Sequence, residues 1–333
     1  MPPSAPARAD RRRALLGAAA LLAVLGLLVW WLLPARDSAP HGRVAFSTGV
    51  PSGVYQRYGD LLKEALAQDL PGLTVTLRDS EGSQENLARV SEGGADFTIA
   101  TADAVATYML NSRPGAQRLR GCARLYDDYV QLVVPAGSRI RSVEDLRGRR
   151  VGVGQPGSGV RLVADRILTA AGLDLEKDVM PVSAGIDTVP DQLKEKKLDA
   201  FFWSGGLPTN AVQKLSERMD IRLVPLGGEL VRRLHASGGT SLYYRSAAVP
   251  ADAYPRAQQG QPVATIAVAN LLVTTERTDP GLTEAFTRTV IDSRDRIGRE
   301  VHSAQLVDLR TAIYTDPLPL HEGSRRYFRS AKP

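Results

Sequence analysis

The chain has 333 residues, 43% hydrophobic and 23% charged, enough length for two ordinary domains and enough apolar content for folded cores. Its net charge of +6 gathers at the ends: Arg8, Arg11, Arg12 and Arg13 against Asp10 leave +3 before Ala14, and Arg325, Arg326, Arg329 and Lys332 close the chain. No basic stripe interleaved with aromatics exists, so nucleic acid is set aside as a partner; the single cysteine, Cys122, excludes an intrachain disulfide and reads as core filling.

The first pattern is Ala14 to Leu33, ALLGAAALLAVLGLLVWWLL, twenty residues without a charge. As a helix they rise about 30 Å, the thickness of a bilayer core. Cleaved signals have shorter apolar stretches and end in a small-x-small site, whereas this run leaves through Trp30, Trp31, Leu32 and Leu33 into Pro34. Arginines before it and tryptophans at its far end match the positive-inside rule and the interfacial aromatic preference. The expectation is a single-pass membrane anchor over 14–33, with 1–13 a cytoplasmic basic segment and the remainder extracytoplasmic. A cleaved export signal is the other reading, and the arginine cluster resembles a twin-arginine signal; both place the body outside the cytoplasm. Residues 34–42 read as a linker.

From Arg43 short apolar runs alternate with helical patterns, which predicts α/β layering. Strand Val44–Phe46 leads to a helix over Val54–Asp69, with Tyr55, Tyr58, Leu62, Leu66 and Leu70 near helical spacing. Strand Leu73–Leu77, helix Glu85–Ser91, strand Phe97–Ala100 and helix Asp103–Met109 follow. Tyr129–Val134 is a strand and the candidate first crossover between lobes. After a capping-box-like start of a short helix at Ser142–Asp145 come strand Arg150–Val153, helix Gly159–Ala171, strand Val179–Val182 and helix Ile186–Lys196. Strand Ala200–Trp203 and a helix from Pro208 complete a second βα series. Val263–Thr274, VATIAVANLLVT, is a long strand returning to the first lobe, and Pro280 sits at a helix N1 position in a helix reaching about His302. The expected fold is an α/β, two-lobe, periplasmic-binding-protein-like architecture with hinge crossovers, preceded by the transmembrane helix. Lobe 1 would hold 43–130 plus 241–333, and lobe 2 would hold 131–240.

Three loops carry the chemistry. In Ser47-Thr48-Gly49-Val50-Pro51-Ser52-Gly53-Val54-Tyr55 a strand ends in hydroxyls and glycines and a helix starts at once. Unpaired amides of a first helical turn, with the positive dipole end, bind anions without a cationic side chain. Gly154-Gln155-Pro156-Gly157-Ser158-Gly159-Val160 repeats the arrangement in the second series. Its glycines spell G-x-G-x-x-G, but Glu176 and Asp178 precede the next strand instead of ending it, against a dinucleotide site. Ser158 and the amides of Ser158–Val160 are expected to hold an acidic ligand group, opposed by Ser52, Gly53 and Val54; Arg161 either adds charge or forms a surface ion pair. In the third loop Trp203, Ser204 and Gly205 cap a strand, the tryptophan as a pocket wall, and one of Phe201 and Phe202 belongs to the core. Thr101, at the tip of the Phe97 strand, joins the ligand-binding set.

Catalysis fails on inventory. There is no Walker A sequence and no G-x-S-x-G elbow; His41, His235, His302 and His321 have no metal-ligand spacing. The adjacent carboxylates Asp127 and Asp128 do not face one another on regular structure. No catalytic residue, metal site or cofactor is expected.

STGVPSGVYQRYGDLL, VEDLRGRRVGVGQPGSGVRLVADRIL and LDAFFWSGGLPTNAVQKL, in this order and spacing, together with VATIAVANLLVT, resemble the TAXI solute-binding subunits of TRAP transporters. The resemblance spans about Arg43 to Thr289. It implies a hinged two-lobe receptor that binds small organic anions, such as glutamate or another carboxylate, and hands them to membrane permease subunits driven by an ion gradient. An uncleaved anchor departs from the family, whose members are usually free in the periplasm. The anchor leaves open a second role, a membrane-anchored ligand sensor partnering a histidine kinase.

Overall fold

The computed structural model describes residues 40–331, and before them Val24 alone. Among the described residues no helix is long and apolar enough to cross a membrane; the segment read as an anchor, Val24 apart, lies outside them.

The first series runs β1 (Gly42–Ser47), α1 (Val54–Asp69), β2 (Leu73–Arg78), α2 (Ser83–Ser91), β3 (Phe97–Thr101) and α3 (Ala102–Leu110). A 17-residue strand, β4 (Leu119–Pro135), leaves it. The second series is β5 (Arg150–Gly152), α4 (Gly159–Ala170), β6 (Met180–Val182), α5 (Val189–Lys194), β7 (Ala200–Gly205), α6 (Asn210–Arg218), β8 (Ile221–Val224), α7 (Gly228–Ala236), β9 (Arg245–Val249) and α8 (Pro255–Gln258). Strand β10 (Val263–Thr275) returns, and α9 (Pro280–Asp292), α10 (Arg294–Gly298), α11 (Leu309–Ala312) and α12 (Glu322–Ser330) finish the fold.

Strands β4 and β10 carry the chain between the lobes. Leu119 to Tyr129 of β4 pairs antiparallel with β10, and Tyr129 to Pro135 pairs with β7 and β8. The start of β10, Val263 to Ala267, pairs with β9, and Asn270 to Val273 pairs with β3. Because the two crossing strands bond to each other, hydrogen bonding is continuous through both halves, in the order β2-β1-β3-β10-β4-β7-β5-β6. The apolar cores are nevertheless separate. One gathers Val130, Leu132, Ile167, Phe201, Leu223 and Val268. The first lobe has two, on opposite faces of its sheet: Leu272 joins Phe46, Tyr58, Phe97 and Phe286, while Leu271 and Val273 join Leu87 and Val105. That split is the period-two alternation of a strand buried on both sides.

Tyr244, Val249, Ala253 and Tyr254 pack with Val130, Ile167 and Phe201 in the core of the second lobe. The return to the first lobe therefore falls inside β10, near residue 269, and not at 241. The reason is β9, whose pairing with the start of β10 ties residues 245–267 to the second lobe. The helix from Pro280 stops at Asp292, with Ser293 between it and α10. Asp279 caps it by accepting from the Leu282 amide at 2.8 Å. Cys122 is fully buried in the first lobe, and burial pushes its thiol up to about 12.

Candidate functional site

Across the cleft the lobes touch. The Gly157 carbonyl accepts from the amides of Gln84 and Glu85 at 3.1 and 3.3 Å, and Gln84 Nε2 donates to the Ser158 carbonyl at 3.1 Å. Ser52 bonds to Asp187 on the far side. Between these contacts lies a cavity of about 70 Å³ lined from both lobes, room for roughly five water-sized groups. That volume suits a small solute.

Four helices of nine residues or more open on this space. The N-caps of α1, α2, α3 and α4 are Gly53, Gly82, Thr101 and Ser158, and all four line the cavity. Not all their amides are available. Those of Gln84 and Glu85 on α2 are taken by Gly157, and that of Arg161 on α4 is taken by Ser158 Oγ at 3.1 Å. Helix α1 has no side-chain cap, so the amides of Val54 and Tyr55 have no partner within the helix. With those of Gly159 and Val160 they bring two positive helix ends to the cavity, one from each lobe and each equivalent to about half a charge.

Eleven of the residues nominated from sequence line the cavity: Gly49, Gly53, Val54, Tyr55, Thr101, Ser158, Gly159, Val160, Trp203, Ser204 and Gly205. Four do not. Ser47 is buried and spends its hydroxyl on Asn86 and Arg89. Thr48 is buried against Gln56 and the Arg78 carbonyl. Ser52 faces Asp187, and Gly157 offers its carbonyl to α2. Nor is the Ser158 hydroxyl free, because it caps α4 and donates to the Gln155 carbonyl at 2.7 Å. Arg161 turns away to Glu176 at 2.6 Å. Of the two phenylalanines, Phe201 is core and Phe202 lines the cavity. Trp203 is held by its Nε1 donating to Thr209 Oγ1 at 2.9 Å. Gly205 is needed there, since a Cβ would stand 2.7 Å from that nitrogen.

Sequence reasoning missed Glu81, Gly82 and Ser83 of the β2–α2 turn, Ala184 to Ile186, and Asp128. Gly82 has φ +128°, a conformation for which glycine is suited, and that was the available signal. Asp128 lies in a hydrogen-bonded chain: Ser83 Oγ stands 3.2 Å from Tyr55 OH, Tyr55 donates to Asn270 Oδ1, and Asn270 Nδ2 donates to Asp128 Oδ1 at 2.7 Å. Burial raises the Tyr55 hydroxyl well above its ordinary range, and the Asp128 charge adds to the rise. Burial also pushes the Asp128 carboxyl up to about 7; the Asn270 hydrogen bond opposes the rise and the charge of Asp103 adds to it. Two buried hydroxyl oxygens on the wall, Thr101 Oγ1 and Ser204 Oγ, have no hydrogen-bond partner among the described residues. Among the described residues no group of three or more His, Cys, Asp or Glu side chains is placed to hold a metal ion.

The chain belongs to the NMT1-like family, whose model matches residues 46–331. Its fold is similar to those of several solved proteins. A protein of Bordetella bronchiseptica RB50 is 18% identical over 87% of this chain and 90% of its own, with a TM-score of 0.51. A putative L-cystine ABC transporter protein of Listeria monocytogenes is 14% identical over 80% of this chain and 98% of its own, also at 0.51. An ancestral arginine-binding protein is 16% identical over 78% and 98%, again at 0.51. At these identities the likeness establishes the two-lobe architecture.

Proposed function

We propose that this NMT1-like protein is the extracytoplasmic solute receptor of a TRAP-type transporter. It closes its lobes on a small carboxylate-bearing solute and catalyses no reaction. The observation that carries the reading is the cavity between the lobes, which the uncapped start of α1 and the start of α4 both line. Amides at helix N-termini hold an anion without the desolvation cost of a buried cation. The unpartnered hydroxyls of Thr101 and Ser204 supply two further donors. The tether is Ala14 to Leu33, with the permease subunits as membrane partner; a mature protein whose mass begins at Met1 agrees with that, and one beginning near Arg36 does not.

Native mass spectrometry of the freshly purified full-length protein tests the receptor. A small acid retained without covalent change, and recovered unaltered after incubation, is expected. Conversion of the bound compound would contradict a non-catalytic role. In vesicles holding the receptor and its permease, uptake should follow an ion gradient; uptake that needs ATP would contradict the TRAP assignment.

A further inference from the structure

Asp127 and Asp128 are consecutive on β4 and point to opposite faces of the strand. Asp127 is paired twice, with Arg124 at 2.7 Å and with Arg245. Asp128 has no cationic partner among the described residues. It is 4% exposed, one oxygen accepts from Asn270, and the cavity it lines contains no Lys, Arg or His. The other carboxylate on the wall, Glu81, is exposed at the mouth. The titratable groups around Asp128 are Tyr55 on α1, Tyr126 on its own strand and Asp103 on α3; none is a cation.

An ionised carboxylate buried without a counter-charge is costly, and breaking a buried pair leaves the same penalty behind. A site whose anion-binding end is already built from helix amides has no use for a second negative group unless the ligand brings the opposite charge to it. We infer that Asp128 selects the ligand: it pairs with a protonated nitrogen of the bound acid, so the cavity takes an amine-bearing carboxylate in preference to the oxo or hydroxy acid of the same shape. This rests on the reading of the cavity as the solute site. The carboxylate end of such a ligand lies against α1 and α4, and its ammonium end points down to Asp128. Burial, which favours the neutral form of the empty Asp128, is overcome when the ammonium arrives.

The test uses the full-length protein at pH 8 and a panel of small acids in matched sets, each 2-amino acid beside its 2-oxo and 2-hydroxy counterparts, for example L-glutamate, 2-oxoglutarate and 2-hydroxyglutarate. Thermal shift finds the binders and calorimetry ranks each matched set. The amino acid of the binding set should be favoured at least about tenfold over its counterparts. Asp128→Asn, whose amide keeps an acceptor for Asn270, should fold and lose that preference. A nitrogen-free acid binding as tightly as its amino partner overturns the inference and leaves the receptor standing. So does an unchanged preference in Asp128→Asn. Failure of every acid in the panel to bind removes the carboxylate-receptor reading itself, and the inference with it.

Discussion

Arg166 on α4 of the second lobe meets Asp103 on α3 of the first, with Nη1 3.1 Å from Oδ2 and both side chains largely buried. The pair is not isolated. Tyr244 OH donates to the same Asp103 oxygen at 2.6 Å, Arg166 donates to Tyr244 OH at 2.9 Å and to Thr107 Oγ1 at 2.5 Å, and Thr240 takes a further bond. The guanidinium also lies 5.7 Å from the centre of the Tyr244 ring. The bonds from Arg166 and Tyr244 to Asp103, and from Arg166 to Thr107, cross between the lobes and exist only while these are together, so the cluster is a clasp beside the ligand cavity.

Arg166→Leu should therefore favour the open form. Removing one member of a buried pair costs about 3–5 kcal/mol when the other stays buried, and opening relieves that cost by returning Asp103 to water. Small-angle X-ray scattering of the ligand-free protein should give a larger radius of gyration for the variant. Equal radii, with a large loss of melting temperature, would make the pair a purely structural one.

The Asp128 carboxyl makes stability depend on pH. Its folded value is about 7, against about 3.9 for an unfolded aspartate. Between those values the folded form keeps a proton that the unfolded chain has released, so stability falls as pH rises through that window and stays lower above it. The cost is roughly 4 kcal/mol when complete. Asp128→Asn cannot pay it, and without ligand the variant should melt higher than wild type at pH 8, with the difference vanishing near pH 4. A difference that does not change with pH would contradict this.

Strand β4 shows where legibility in the sequence stops. Tyr129 to Val134 is continuously apolar apart from Gln131 and reads as a strand; Leu119 to Asp128 carries Arg120, Arg124, Asp127 and Asp128 and does not. Its charges are accommodated by partners far along the chain, Glu276 for Arg120 and Arg245 for Asp127, which local pattern cannot reveal. The glycine-rich turns before α1 and α4 were legible, because the strand-to-helix break is local. The path from Tyr55 through Asn270 to Asp128 was not, because its members come from α1, β10 and β4 and meet only when the crossing strands pair. Ser47 and Thr48 misled for a related reason: hydroxyls at a strand end look the same whether they face a ligand or, as here, Asn86 and Gln56.

Thr101→Val and Ser204→Ala separate binding from folding. Each removes a buried hydroxyl that has no partner among the described residues, so no bond seen there is lost. Removing an unsatisfied buried group is neutral or stabilising. Melting temperatures should be unchanged or higher, while affinity for the solute, by calorimetry, should fall about fivefold or more for each. A large loss of stability with unaltered affinity would place both hydroxyls outside the site.

Gly159 stands at the start of α4, facing the first lobe. A Cβ there would lie 3.3 Å from Ser83 Oγ and 3.6 Å from Thr101 Oγ1, tight enough to hinder closure without disturbing the core. Gly159→Val should keep its melting temperature and bind at least tenfold more weakly, about 1.4 kcal/mol. Unchanged affinity would show that the backbone approach at this point does not matter.

The central claim is that a small acid sits between the starts of α1 and α4, enclosed by both lobes. A crystal structure of the protein with the solute recovered from it measures this directly. The account predicts an acidic group within hydrogen-bond distance of the amides of Val54 or Tyr55 and of Gly159 or Val160, with Trp203 against the body of the ligand. A ligand bound outside this cavity, or one whose acidic group is held by an arginine or lysine while those amides stay unused, would contradict it.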